Sequence, residues 1–459
     1  MSAKFSNYTR LLNEVSISSH LPETAQLNEN TFNEFLDKYY QVIARPTQDI
    51  KINIIVTTLT HSQYQIESGI INQIISGKQE AYQFLEKNLL NGKKFIIQQS
   101  VPRAKLGEQH FDIRVFVAKR SPKWTITEKI ARITPKGFSL TDEVKDIFPA
   151  HDILSKRFPE NSTDISLQLD QIALLTTEIL EEKYSKYNLV MIDIYFDQLG
   201  KPWIHDIRYR FTDGKWDWHQ VLRGKKDLFP YLPESYPFHI KLLELYLEKY
   251  KSCIIKPNRS QWGRGLALIS QPDNQSYEIH SERKKTPFND MNVLLEDIRD
   301  RFTSKKSYLI QEKIHLPTIN GCPFDIRVMV QRKTVDSQWE VTGRITRTAA
   351  TGFIVTNVAK ALSPLEDAIE ASTLNPKNTD SLIWEIDQLC KLVAIQLEKI
   401  YPDARMWGMD IGIDQFGKPW FIEANLVPDI SIFRLLADKT MYNRIKEYIR
   451  ERKNSKEDQ

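Results

Sequence analysis

Asp410, Glu423 and Asn425 are the residues of this chain best suited, by type and spacing, to hold a hard cation. They sit in "MWGMDIGIDQFGKPWFIEAN", Asp410 on one apolar run, Glu423 and Asn425 at the end of the next. Turn residues at Asp414–Gly417 separate the runs, so a hairpin returns the two carboxylates to one place. Side chains alternate along a strand, which puts Glu423 and Asn425 on one face. Two carboxylates and an amide oxygen suit Mg²⁺ when phosphate oxygens and water complete its shell. Read alone, the same triplet also describes a solvated hairpin end. Upstream, "KPNRSQWGRGLALI" offers Lys256 at a strand end and then Gly263 and Gly265 in a loop. A lysine point charge beside backbone amides that glycine leaves approachable suits phosphate oxygens, although a plain turn accounts for the glycines as well. Arg327, Arg344 and Arg347 fall on successive predicted strands and are expected to face one anionic site; singly, each reads as an exposed strand arginine.

The elements that must position these groups occur twice. "LPET" at Leu21–Thr24 returns as "LPES" at Leu232–Ser235, and Lys4 and Arg45-Pro46 return as Lys215 and Lys256-Pro257, all 211 residues on. "FDIRVFV" from Phe111 returns as "FDIRVMV" from Phe324, Arg132 as Arg347, Asp142 as Asn357 and Asp193 as Asp410. Ordered matches with a slowly growing offset mark a full-length duplication. The boundary is expected near residues 212–214, giving domains 1–212 and 213–459. Each copy reads as α+β. "TFNEFLDKYYQVIARP" and "KLLELYLEKYKSCIIKP" are amphipathic helices running into short strands that stop at proline. "YLIQEKI" and "FDIRVMVQR" read as strands joined through Asn320-Gly321, and "SLIWEIDQLCKLVAIQLEKIY" as a core helix.

The bulk numbers exclude several classes. The chain has 459 residues, 41% of them apolar and 27% charged, which is a globular composition long enough for two or three domains. No apolar run approaches the ~18–20 residues of a membrane helix, and "MSAKFSNYTRLLNEV" lacks the pattern of a secretion signal. Cys253, Cys322 and Cys390 are scattered and odd in number, as expected of reduced cytoplasmic thiols rather than a disulfide framework or zinc site. A net charge of +4 calls for no nucleic-acid or membrane partner.

The order Lys215, Lys256, glycine loop, "QEKI", "DIR", Arg347, Asn357 and Asp–Glu–Asn resembles the ATP-grasp superfamily, and within it the YheC/YheD branch described as endospore coat-associated. "LPES", "QEKIHL", "PFDIRVMVQ", "GRITR", "TN" and "GMDIGIDQFGKPWFIEAN" carry the resemblance through almost all of the second copy. It implies two tandem ATP-grasp folds, each of two α+β subdomains clasping a nucleotide cleft. It further implies that Lys215 and Lys256 meet phosphates under the Gly263/Gly265 loop, and that Gln311, Glu312 and Ile314 face adenine. Asp325 would lie near the ribose, Arg327, Arg347 and Asn357 near phosphate and the reacting carboxyl, and Asp410, Glu423 and Asn425 around Mg²⁺. The implied reaction is ATP-dependent joining of a carboxylate to an amine through an acylphosphate, on an amino acid, peptide or peptide-like metabolite. A nucleotide-binding spore scaffold and a phosphotransferase are the alternatives. After Asn357 the chain reads "VAKALS", where many relatives have a Gly-Gly pair.

The first copy keeps Lys4, Gln98, Asp112, Arg114, Arg132 and Asp193 but has Arg45 for Lys256, Asp142 for Asn357, Asp206 for Glu423 and Arg208 for Asn425. A guanidinium cannot ligate a metal, so this copy is expected to be a non-catalytic pseudo-domain packed against its active twin. The stretch Asp206–Gln220, "DIRYRFTDGKWDWHQ", is expected either to help hold substrate or to be a plain linker.

Overall fold

A computed structural model describes residues 3–457 apart from 48–52, 69–70, 91, 121–122, 135–145, 185–186, 210–213, 260–264, 274–275, 305, 353–358 and 375–377. The chain divides into two compact units, Met1–Phe211 and Thr212–Gln459. Each has two six-stranded antiparallel sheets, and the strand order of the first unit returns in the second.

In the second unit the first sheet runs Ser235–Pro237, Tyr308–Glu312, Ser252–Pro257, Ala267–Asp273, Ser276–Ser281, Lys284–Phe288. The helix Ile240–Tyr250 packs on it, started by His239, whose side chain accepts from the Lys241 amide, and stopped by Lys251 at φ 57°. Leu243, Leu247, Ile255, Ile269, Leu294 and Ile310 form the core beneath. The second sheet runs Ala359–Ser363, Glu340–Ala349, Cys322–Gln331, Met406–Ile413, Pro419–Asn425, with Thr318–Ile319 pairing onto Cys322–Gln331. That last hairpin turns at Asn320 and Gly321, both at positive φ, which is why Asn-Gly stands there. One face carries the helix Thr379–Leu397, which Asn378 caps by accepting from the Ser381 amide. The other face is apolar at Met329 and Ile345, where Phe433, Leu436 and Ile445 cover it, and charged further along.

The duplication extends to hydrogen bonds. In the closing hairpin of the second unit, Asp414 accepts from the Phe416 and Lys418 amides and from Trp420 Nε1. In the first, Asp197 accepts from the Leu199 and Lys201 amides and from Trp203 Nε1. Gly417 (φ 85°) and Gly200 (φ 88°) complete the turns. Each hairpin also bulges at one position, after Asp410 and after Asp193. Ile422 in one and His205 in the other thereby drop out of the pairing.

Candidate active site

The antiparallel register of Met406–Ile413 with Pro419–Asn425 sets Asp410 directly opposite Glu423. The neighbouring strands add Asp325, Arg327 and Arg347 to the same face, since Arg327 pairs with Asp410 and Asp325 with Arg347. These groups form one ionic lattice. Arg327 donates to both oxygens of Asp410, at 2.5 and 3.2 Å. Arg347 grips Asp325 bidentately, at 2.8 and 2.5 Å, and reaches Asp410 at 3.2 Å. Burial pushes the Asp410 carboxyl up, but Arg347 and Arg327 outweigh it and hold it below the usual carboxylate range. Burial also raises Glu423, and the neighbouring Asp410 adds to this against the opposing Lys215, whose Nζ stands 3.3 Å away.

Glu423 joins the lattice to a pocket that opens to solvent, whose walls include Lys215, Lys256, Gln311 and Ser235. Lys256 donates to Gln311 at 2.9 Å, and Gln311 donates to Ser235 at 2.7 Å. Burial drives the Lys256 ammonium down to about 8, with Lys215 adding to the fall and Glu423 resisting it. Trp218 and His219, from the helix Lys215–Arg223, complete one wall together with Phe421 and Ile422. His219 stacks on Trp216 at 5.5 Å, and burial, Arg223 and Lys256 bring its pKa to about 3. The imidazole is therefore neutral beside the two lysines.

Of the residues singled out in sequence, Lys215, Lys256, Gln311 and Glu423 share the cavity, and Asp325, Arg327, Arg347 and Asp410 share the lattice. Asn425 lies two residues past Glu423, opposite Gly408. Glu312 accepts from the Glu234 amide, and Ile314 lies in the connection between the two sheets. Gly265 has φ 82°, and a Cβ there would come within 2.8 Å of Tyr308 Oη. Gly263, Asn357 and Asp142 lie outside the described residues, as does the Lys4 side chain. Two expectations need correcting. Arg344 does not face the site: three positions from Arg347, it emerges on the opposite face and pairs with Asp387 of the helix Thr379–Leu397. The stretch Asp206–Gln220 is not a plain linker in its later part, because Lys215–Gln220 open a helix whose Lys215, Trp218 and His219 line the second unit's own cavity. Trp218 and His219 belong to that stretch, but the helix that presents them was not read, although the 211-residue offset aligns them with Asn7 and Tyr8 on the helix Ala3–Leu12.

The donor set fits a hard divalent cation. Asp410 and Glu423 supply carboxylate oxygens from facing positions, and Asn425 an amide on Glu423's strand. Lysine and arginine now compensate their charge where such a cation would. No group of three His, Cys, Asp or Glu suited to a metal occurs among the described residues, and two carboxylates with one amide match an ion that arrives with phosphate oxygens.

The first unit builds the same lattice and then closes it. Arg114 holds Asp193 at 2.6 and 2.8 Å, while Arg132 holds Asp112 at 2.7 and 2.5 Å and Asp193 at 2.9 Å. Arg208, at the place of Asn425, adds a third guanidinium, 3.0 Å from Asp206 and 3.6 Å from Asp193. Burial raises Asp193, yet Arg114, Arg132 and Arg208 together hold it well below the usual range.

The family described as YheC/D-like ATP-grasp matches residues 1–212 and again 207–452. Among curated proteins, the chain is 25% identical to the endospore coat-associated protein YheD of Bacillus subtilis over 300 residues, 63% of this chain and 59% of YheD. It is 21% identical to the endospore coat-associated protein YheC of the same organism over 218 residues, 47% of this chain and 59% of YheC. Each match therefore spans less than two thirds of the relative. Among solved structures, the C-terminal domain of K. lactis Pby1, described as an ATP-grasp enzyme, aligns with 17% identity and a TM-score of 0.30. That alignment covers 50% of this chain and 68% of that one.

Proposed function

This chain belongs to the YheC/D-like ATP-grasp family, part of a superfamily of ATP-dependent carboxylate–amine ligases, and from that premise we propose that its second unit is such a ligase. The reading is of ATP- and Mg²⁺-dependent activation of a carboxylate as an acylphosphate, followed by attack of an amine, on an amino acid, peptide or peptide-like metabolite. The observation that carries it is the continuity of cavity and ionic lattice through Glu423. Lys215 and Lys256 supply positive charge to phosphate oxygens in a site walled by Leu232, Leu309 and Phe421. Their charges act strongly there because little water screens them. Asp410, Glu423 and Asn425 would hold Mg²⁺, which when bound offsets charge on the transferring phosphoryl group. Arg327 and Arg347 keep Asp410 ionised and fixed in direction. The first unit takes no catalytic part in this reading. The likeness to two endospore coat-associated proteins supports a role associated with the spore. No helix among the described residues is long and apolar enough to cross a membrane.

The test is ADP release by the full-length chain against a panel of carboxylates, with and without amines, in wild type, Glu423→Ala and Asp206→Ala. Amine-dependent turnover that Glu423→Ala abolishes and Asp206→Ala preserves is expected. Phosphorylated product without amine dependence would replace the ligase by a phosphotransferase. ATP binding without turnover under every condition would leave a scaffold.

A further inference from the structure

The two units share the bulge in the closing hairpin and differ in the side chains that surround it. In the first unit the bulged residue is His205, and its carbonyl accepts from Tyr8 Oη at 2.9 Å and from Arg45 Nη1 at 2.6 Å. Tyr8 is 2% exposed and Arg45 3%, and Arg45 also donates to Gln98 at 3.3 Å. Two long side chains, one from the helix Ala3–Leu12 and one from the strand Gln41–Pro46, therefore converge on the bulge. The second unit has the same helix, strand and bulge, with His219 for Tyr8, Lys256 for Arg45 and Ile422 for His205. There Lys256 keeps the bond to a glutamine, Gln311 in place of Gln98, and His219, Lys256 and Ile422 line a pocket.

Resting on the reading of the second unit as the nucleotide-binding one, we propose that the residue at positions 8 and 219 is the gatekeeper of each cleft. Tyr8, backed by Arg45, occupies the space that nucleotide takes in the second unit, while His219 leaves it open. The difference is one of reach. A phenol extends a hydroxyl about 2 Å beyond the edge that an imidazole presents, and that hydroxyl finds a fixed acceptor in a carbonyl released from its ladder by the bulge. Because interiors are close-packed, a side chain hydrogen-bonded across a small cavity excludes a ligand from it. This occlusion is separate from the loss of metal ligands through Arg208, so the first cleft is disabled twice.

The experiment is isothermal titration of ATP with Mg²⁺ into the full-length chain and its variants His219→Ala, His219→Phe and His219→Tyr, with thermal melts to certify folding. Wild type is expected to bind one nucleotide. Affinity is expected to fall with side-chain volume, His219→Phe and His219→Tyr losing at least tenfold relative to His219→Ala. Either aromatic variant decides the matter if only one folds. Folded aromatic variants that bind as His219→Ala does, or a wild type with two nucleotides per chain, would overturn the gatekeeper assignment while leaving the second unit a nucleotide site. A wild type that binds no nucleotide would instead remove the functional reading on which the assignment rests.

Discussion

Replacing Asp193 by asparagine should damage the protein more than the same change at Asp410, although only Asp410 belongs to the proposed chemistry. Asp193 and Arg114 are each 1% exposed, and three guanidiniums surround this one carboxylate. Asparagine keeps the shape but removes the negative charge, leaving the buried Arg114 and Arg132 near one another and near the 28% exposed Arg208. Breaking a buried ion pair from one side costs about 3–5 kcal/mol. A folding unit of about 200 residues loses roughly 2–4 °C per kcal/mol, so its transition should fall by about 6–20 °C. Asp410 and its partner Arg327 are 11% and 10% exposed, and Arg347 keeps Asp325 when Asp410 is neutralised. Only two guanidiniums reach it, and the cost should be roughly 1–3 kcal/mol. Calorimetry on the full-length variants at pH 7 gives the comparison. The pH dependence supplies a second check. Because the folded pKa of Asp193 is depressed, its contribution is complete above the unfolded value of about 3.9 and is lost as pH falls through the folded value. The gap between wild type and Asp193→Asn should therefore shrink by about 1.4 kcal/mol per pH unit below about 4. A loss of under about 1 kcal/mol for Asp193→Asn at neutral pH, or equal losses for the two variants, would refute the view of the first lattice as a closed counter-ion system.

Three further outcomes follow from the second unit. Lys256 loses solvation on folding and its pKa falls to about 8, so it costs stability below that pH, and the cost is relieved as pH rises toward the unfolded value. Lys256→Met should accordingly raise the unfolding free energy at pH 7 by about 1–2 kcal/mol after allowing for the lost bond to Gln311, while titration calorimetry shows weakened ATP binding. Gly265→Ala must put a Cβ at φ 82° and 2.8 Å from Tyr308 Oη, and should cost about 1–3 kcal/mol in urea unfolding. Arg344→Met should lower stability by about 1–3 kcal/mol, stranding Asp387, while the KM for ATP stays as in wild type, because its side chain lies on the face away from the cavity.

Much of the fold could be read because the chain says everything twice. A weak helix-to-strand pattern at "TFNEFLDKYYQVIARP" gains force when "KLLELYLEKYKSCIIKP" repeats it, and both become helices followed by strands ending at proline. Alternation placed Glu423 and Asn425 on one face, and the same rule applied to Arg344 and Arg347 separates them, since an odd spacing on a strand reverses direction. Partners were harder to read. That Arg327 grips Asp410 depends on which residues stand opposite in the pairing of Cys322–Gln331 with Met406–Ile413, and a one-residue shift would have undone it. The helix at Lys215–Arg223 escaped notice for a different reason. Nine residues beginning just after a domain boundary look like connection until the repeat is carried through them.

Comparison of the two lattices separates scaffold from function more sharply than either alone. The bonds Arg114–Asp193 and Arg132–Asp112 have their equals in Arg327–Asp410 and Arg347–Asp325, so these four residues do not distinguish one copy from the other. They hold three adjacent strands of the first unit at fixed separation. The discriminating positions are the ones that differ: Tyr8 against His219, Arg45 against Lys256, Asp206 against Glu423, Arg208 against Asn425. Three of the four put a longer or fixed-charge side chain into the first unit, and each is hydrogen-bonded or ion-paired inside that unit. A cleft that had merely decayed would leave cavities and unpaired charge, both of which cost stability. In the proposed reading the first unit's cleft is instead occupied and neutralised by its own side chains, as expected of a unit that folds without ligand.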